Sequence, residues 1–151
     1  MAEQGRIMGL DVGEVRTGVA MSDPLGMFAS PHATVPMSGK EPAAVVLGRM
    51  AAELGVVRVV SGLPLDQNGE VGPQAQRVLD FLEQLRARVD IPVETVDERF
   101  STVAAERMLI SSGMRRKGRK RVVDQVAAAH ILQLYLDQRA SAQRNKEQPG
   151  S

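Results

Sequence analysis

Apolar residues come in short runs over the first third of the chain and in helical stripes after it. Residues 6–12, 16–22 and 27–35 are apolar, in part β-branched, and separated by turn-like pieces, which predicts three strands in an antiparallel meander. In "EPAAVVLGRMAAEL", Pro42 suits a first helical turn, and Ala43, Val46, Leu47, Met50 and Leu54 recur at helical spacing. This helix should cover one sheet face. The β-branched run "VVRVVSG", residues 56–62, predicts a buried strand, and "LPLDQNGEVGP" after it a loop. A helix over about 73–88 carries Ala75, Val78, Leu79, Leu82 and Leu85 on one face. "IPVETVD" then predicts a fifth strand, and "STVAAERMLISSG" a helix with Ser101 as N-cap and Gly113 past its end. The last long helix spans 122–139 and is apolar over much of its surface. From Ala140 on, apolar residues nearly vanish, so one domain over 1–140 and a disordered tail over 141–151 are expected.

Composition fits that outline. A chain of 151 residues with 43% hydrophobic positions can bury one proper core. No segment is long enough to cross a bilayer, and the polar start "MAEQGR" does not read as a signal peptide, so a cytoplasmic protein with no membrane association is expected. The absence of cysteine excludes disulfides and thiolate metal ligands.

Charge adds more than its total suggests. The formal net charge is +1, yet "RRKGRKR" gathers Arg115, Arg116, Lys117, Arg119, Lys120 and Arg121 with no acid among them. Removing those six from the 19 lysines and arginines leaves 13 against 18 acids, a net −5. Positive charge concentrated in this way favours an anionic partner such as a nucleic-acid backbone, with a solvated basic loop as the plain alternative.

Four acids stand at element ends. Asp11 closes a run that otherwise reads as a buried strand, where an ionised carboxylate costs several kcal/mol unless it is paired, hydrogen-bonded or bound to metal. Asp97 and Glu98 end the fifth strand, and Asp124 falls in the first turn of the last helix, on the face it shares with Ala127, Ala128, Ile131 and Tyr135. Each has a plainer explanation: a favourable helix dipole for Asp124, a surface position near a helix start for Asp97, a salt bridge to Arg99 or a lysine for Glu98. Taken together they would meet at one sheet edge. Neighbouring carboxylates repel unless a cation neutralises them, and hard oxygen ligands select Mg2+ or Mn2+. Two such ions about 4 Å apart can activate a water and stabilise a leaving oxygen in phosphodiester cleavage.

The stretches "GLDVGEVRTGVAMSD", "GLPLDQNGEVGP", "DERFST" and "RKGRKRVVDQVAAAHIL", in order over residues 7–139, resemble the YqgF family of Holliday-junction resolvases and pre-ribosomal-RNA nucleases. The resemblance implies a ribonuclease H-like α/β fold, a mixed five-stranded sheet with helices on both faces. It also implies an acidic triad at Asp11, Glu98 and Asp124, acting as catalytic metal ligands. The implied activity is 5′-end processing of pre-16S ribosomal RNA in ribosome biogenesis, with resolution of branched DNA junctions as the alternative.

Other motifs take provisional jobs. Gly9 and Gly13 would let a phosphate approach Asp11 or serve tight packing beside the hairpin, the latter preferred for Gly9. Arg16 and Arg99 are candidates to clamp a phosphate or to pair with a carboxylate, pairing being the safer reading. Asn68-Gly69 reads as a turn. The basic segment, read as a loop immediately before Asp124, would deliver backbone phosphates to the acids without reading bases. Two further function classes stay open: a nucleic-acid-binding module without turnover, acting with ribosome-associated partners, and an ATP phosphate loop at "GLDVGEVRTG", against which the length argues. Symmetric cutting of a junction would favour a homodimer, whereas trimming one RNA end would not demand it.

Overall fold

The computed structural model describes residues 5–100 and 117–147. Strands β1 (Arg6–Val12), β2 (Arg16–Ser22) and β3 (Ala29–Pro36) form the expected meander, followed by α1 (Ala43–Glu53), β4 (Val56–Leu63), α2 (Pro73–Arg86) and β5 (Val93–Asp97). A single 3₁₀ turn, Glu98–Phe100, continues from β5, and the long helix α3 spans Lys117–Glu147. The sheet order is β3-β2-β1-β4-β5. Pairs β1–β2 and β2–β3 are antiparallel and β1–β4 and β4–β5 parallel, so the sheet is mixed.

Strand alternation divides the core in two. Met8, Leu10, Val19, Val35 and Val59 turn to one face, where α1 brings Leu47 and α2 brings Val78, Leu82 and Leu85. Ile7, Ala20, Val60 and Val96 turn to the other, against Ala127, Ala128, Ile131 and Leu132 of α3. Each fully buried aliphatic side chain contributes about 1.5–3 kcal/mol, so both layers are held mainly by apolar burial. Side-chain hydrogen bonds fix α3 laterally: Gln125 Nε2 donates to Thr34 Oγ1 at 3.0 Å, and Ala29 N donates to Gln133 Oε1 at 2.9 Å. Helices thus cover both faces, as the resemblance implied.

Several boundaries differ from the pattern reading. Pro42 is the N-cap of α1, one position before its first turn, whereas Pro73 does open α2. The last helix starts at 117, five residues early, so Lys117, Arg119, Lys120 and Arg121 lie in its first turns and not in a loop. Lysine and arginine are good helix formers, which a reading of apolar stripes overlooks. For the same reason α3 passes residue 139 and stays helical to Glu147 where a disordered tail was expected, although residues 140–144 are exposed. The helix expected over 101–113, with its caps Ser101 and Gly113, lies outside the described residues, as do Arg115 and Arg116. Among the described residues no helix is long and apolar enough to cross a membrane.

Candidate active site

Asp11 sits in a row of three positions running across the sheet. In the antiparallel β1–β2 pair it stands opposite Gly18. On its other side the parallel register pairs Leu10 with Ser61, which brings Gly62 of β4 beside Asp11. Because Met8 and Leu10 face α1 and α2, alternation turns Ile7, Gly9 and Asp11 toward α3. The row therefore reads glycine, aspartate, glycine on the face that α3 covers.

The glycines are there because other groups occupy their side-chain space. A Cβ on Gly18 would stand 2.0 Å from the Asp124 carbonyl oxygen. One on Gly62 would meet Ile131 Cδ1 at 2.6 Å and Glu98 Oε2 at 3.2 Å. Strand glycines commonly mark such close approach. Gly9 serves packing in the same way, since its Cβ would lie 2.6 Å from Leu132 Cβ. Sequence reasoning weighed Gly9 and Gly13 and missed Gly18 and Gly62, whose signal was glycine inside a β-branched run.

Two of the three expected acids are buried in or close to this row. Asp11 is buried at 8% exposure, and Glu98, at the start of the 3₁₀ turn, at 6%. Glu98 Oε2 is itself buried, over Gly62, one strand away from Asp11 on the same face. Asp124 arrives from the other flank, its backbone lying over Gly18. Its carboxylate is turned to Arg16, whose Nε donates to Oδ2 at 2.7 Å. Among the described residues, no three carboxylate or imidazole groups stand gathered as a cluster able to hold a metal ion. The backbone frames of the three acids meet on one face, while the Asp124 side chain is engaged elsewhere.

Asp124 is also not in a first helical turn. It is the eighth residue of α3, which has no acid in its first turn, so the helix dipole does not account for it. Asp97 lies next to Glu98 but is taken by Arg99, which reaches its carboxylate through the backbone N–H at 3.0 Å, Nε at 3.0 and 3.1 Å and Nη2 at 2.7 Å. The Arg99 guanidinium hydrogen-bonded to Asp97 holds that carboxyl below the usual carboxylate range. Arg99 also approaches Gly69, whose positive φ of 78° makes the turn at Asn68-Gly69, with Asp66 Oδ1 accepting from Asn68 N and Glu70 N. Both candidate arginines are thus paired with carboxylates, the safer of their two readings. Lys117, Arg119, Lys120 and Arg121 belong to the helical start of α3, on the helix that carries Asp124.

Hard carboxylate oxygens, buried on one sheet face where glycines let Glu98 and the Asp124 backbone come close, are the type of donor that suits a divalent cation such as Mg2+. A cavity of about 400 Å³ lies on the opposite face, lined by Val12, Met37, Arg77 and Phe81, where Arg77 pairs with Glu14. The acids do not open into it.

The family described as RuvX, Holliday junction resolvase, matches residues 5–138. A protein of Desulforamulus reducens, provisionally named a pre-16S rRNA nuclease, is 47% identical over 87% of this chain and 96% of its own. One of the same name from Chloroflexus aggregans is 50% identical over 88% and 94%. Among solved structures, Thermus thermophilus RuvC in complex with a Holliday junction substrate superposes with a TM-score of 0.56 at 16% identity, covering 90% of this chain and 96% of that one. The fowlpox virus resolvase in complex with Holliday junction DNA does so with 0.52 at 11%, over 88% and 97%. These two likenesses establish the ribonuclease H-like fold.

Proposed function

This chain belongs to the RuvX family, described as Holliday junction resolvases, and from that premise we propose that it is a metal-dependent nuclease hydrolysing phosphodiester bonds in structured nucleic acid. The observation that carries this reading is the pair of buried carboxylates, Asp11 and Glu98, one strand apart on a single sheet face. Two acids so placed repel each other and lose hydration, and a shared cation is the economical compensation.

Asp11, Glu98 and Asp124 are the residues to hold that ion, Mg2+ or Mn2+. When bound, it supplies Lewis-acid stabilisation of phosphate charge and a more acidic water. The chain supplies the rest. Asp11 is fixed within β1, and Glu98 is fixed by the turn that continues β5. Lys117, Arg119, Lys120 and Arg121 begin the helix that carries Asp124 seven residues after Lys117, a rise of about 10 Å. With Arg115 and Arg116 they draw backbone phosphates toward the acids, an attraction that is salt-sensitive and blind to sequence.

The family description points to branched DNA, while the relatives' names point to ribosomal RNA. We favour 5′-end processing of pre-16S rRNA in the cytoplasm, because relatives near 50% identity over nearly the whole chain carry that name. Ribosome-associated partners belong to this reading, and a homodimer belongs to junction resolution. The deciding experiment offers purified protein a precursor 16S rRNA fragment and a four-way DNA junction side by side with Mg2+ or Mn2+. Cleavage of the RNA at its mature 5′ end, with the junction left intact, is expected. Salt-dependent binding to both with no metal-dependent cleavage of either would reduce the protein to a binding module.

A further inference from the structure

Arg16 and Asp124 hold each other at the place where the proposed reaction needs each for something else. Their 2.7 Å contact is only partly exposed, at 22% and 26% of the side chains. The surroundings restrict what either can do. Asp124 has its carbonyl seated over Gly18, so its backbone has no room to approach the sheet further. Arg16 opens β2 two residues before Gly18 and so emerges on the same face. Asp11 lies directly across from Gly18, and Glu98 one strand beyond. Rotation of the Asp124 side chain about a fixed backbone therefore separates two arrangements, one paired with Arg16 and one turned toward Asp11 and Glu98.

Resting on the nuclease reading, we propose that Arg16 is a positioning residue that withholds Asp124 from the divalent ion until a backbone phosphate takes over the guanidinium. The exchange is chemically even-handed, because the planar guanidinium fork fits phosphate oxygens as well as carboxylate oxygens. Without a cation, a third carboxylate turned toward Asp11 and Glu98 would add to their repulsion, and Arg16 supplies the compensating charge. When phosphate binds Arg16, Asp124 turns to complete the oxygen set. Ion and nucleic acid then raise each other's affinity by the same factor, as linkage requires. A basic residue that only clamps phosphate would leave Asp124 where it is.

The test follows arginine Nε–H and backbone amide resonances of the full chain during Mg2+ titration. Mg2+ alone is expected to shift the amides of Asp11 and Gly62 and leave Arg16 Nε–H in place, whereas a short DNA duplex added to the Mg2+-loaded protein should shift Arg16 Nε–H and the Asp124 amide together. Calorimetry on Arg16→Gln should show Mg2+ binding tightened roughly fivefold in the absence of nucleic acid, the order of effect expected for releasing one partly exposed ion pair. Arg16→Lys, which keeps the charge, should fall between the two. If Arg16 Nε–H already shifts with Mg2+ alone, or stays in place when the duplex is added, or Arg16→Gln binds Mg2+ no tighter than wild type, the latch is overturned and the metal site stands. If Mg2+ shifts none of these signals, the metal site falls and the latch with it.

Discussion

Gly18 and Asp124 are in backbone contact: the Asp124 carbonyl oxygen occupies the space that a side chain on Gly18 would fill, 2.0 Å from the ideal Cβ. A contact with backbone cannot be relieved by a change of side-chain rotamer, so α3 itself would have to lift. Gly18→Ala should therefore destabilise the protein by about 1–3 kcal/mol, the range of overpacked cores. It should also move Asp124 away from Asp11. Urea denaturation would show the first effect, and loss of cleavage beyond the unfolded fraction the second.

Gly62→Ala separates packing from chemistry. Its new methyl would meet Ile131 Cδ1, the flexible end of a side chain, and Glu98 Oε2. Ile131 can shift, so the stability loss should be about 1 kcal/mol, smaller than for Gly18→Ala. Glu98 Oε2 must give way by a few tenths of an ångström, so cleavage should fall by more than the stability change explains. Parallel measurement of denaturation and initial cleavage rate distinguishes the two.

Asp11→Asn keeps the shape of a buried carboxylate and removes its charge. Without metal, the variant should be as stable as wild type or more so, by up to about 1–2 kcal/mol, because removing one of two neighbouring buried carboxylate charges relieves desolvation and mutual repulsion. Added Mg2+ should stabilise wild type and leave Asp11→Asn unchanged, since only a species that binds the ion gains from it. Thermal melts with and without Mg2+ read both effects.

The Asp97–Arg99 pair predicts a pH dependence apart from the site. Its hydrogen bonds to Arg99 lower the Asp97 pKa in the folded protein. A depressed carboxylate contributes stability above its unfolded value, about 4, and loses it as pH falls through the lower folded value. The gap in melting temperature between wild type and Asp97→Asn should thus be small and constant at neutral pH and close below about pH 4. High salt should narrow it, because the pair is partly exposed.

Much of this arrangement was legible before any coordinates. Short apolar, in part β-branched runs bounded by turn-like pieces place β1 and β2 over 6–12 and 16–22, because strands covered on both faces read as nearly continuous apolar stretches. The oddness of Asp11 was legible for the same reason. What the pattern hid was held by residues without apolar side chains. Lys117 to Arg121 form helix through propensity, so the five residues by which α3 begins ahead of the expected start at 122 read as a loop. Gly18 and Gly62 bury nothing themselves, and their meaning depends on which helix lies above them, a tertiary fact. The Arg16–Asp124 pair, 108 residues apart, carries no local signal.

If Asp11 and Glu98 are buried together to hold a divalent ion for phosphodiester cleavage, the reaction needs both acids and the ion. Single-turnover cleavage of a precursor 16S rRNA fragment by wild type, Asp11→Asn and Glu98→Gln, with Mg2+ and with EDTA, tests it most directly. Wild type should cut only with Mg2+, and each variant, folded, should be slower on the order of a hundredfold or more. Variants that cut at the wild-type rate, or wild type that cuts equally well in EDTA, would contradict it.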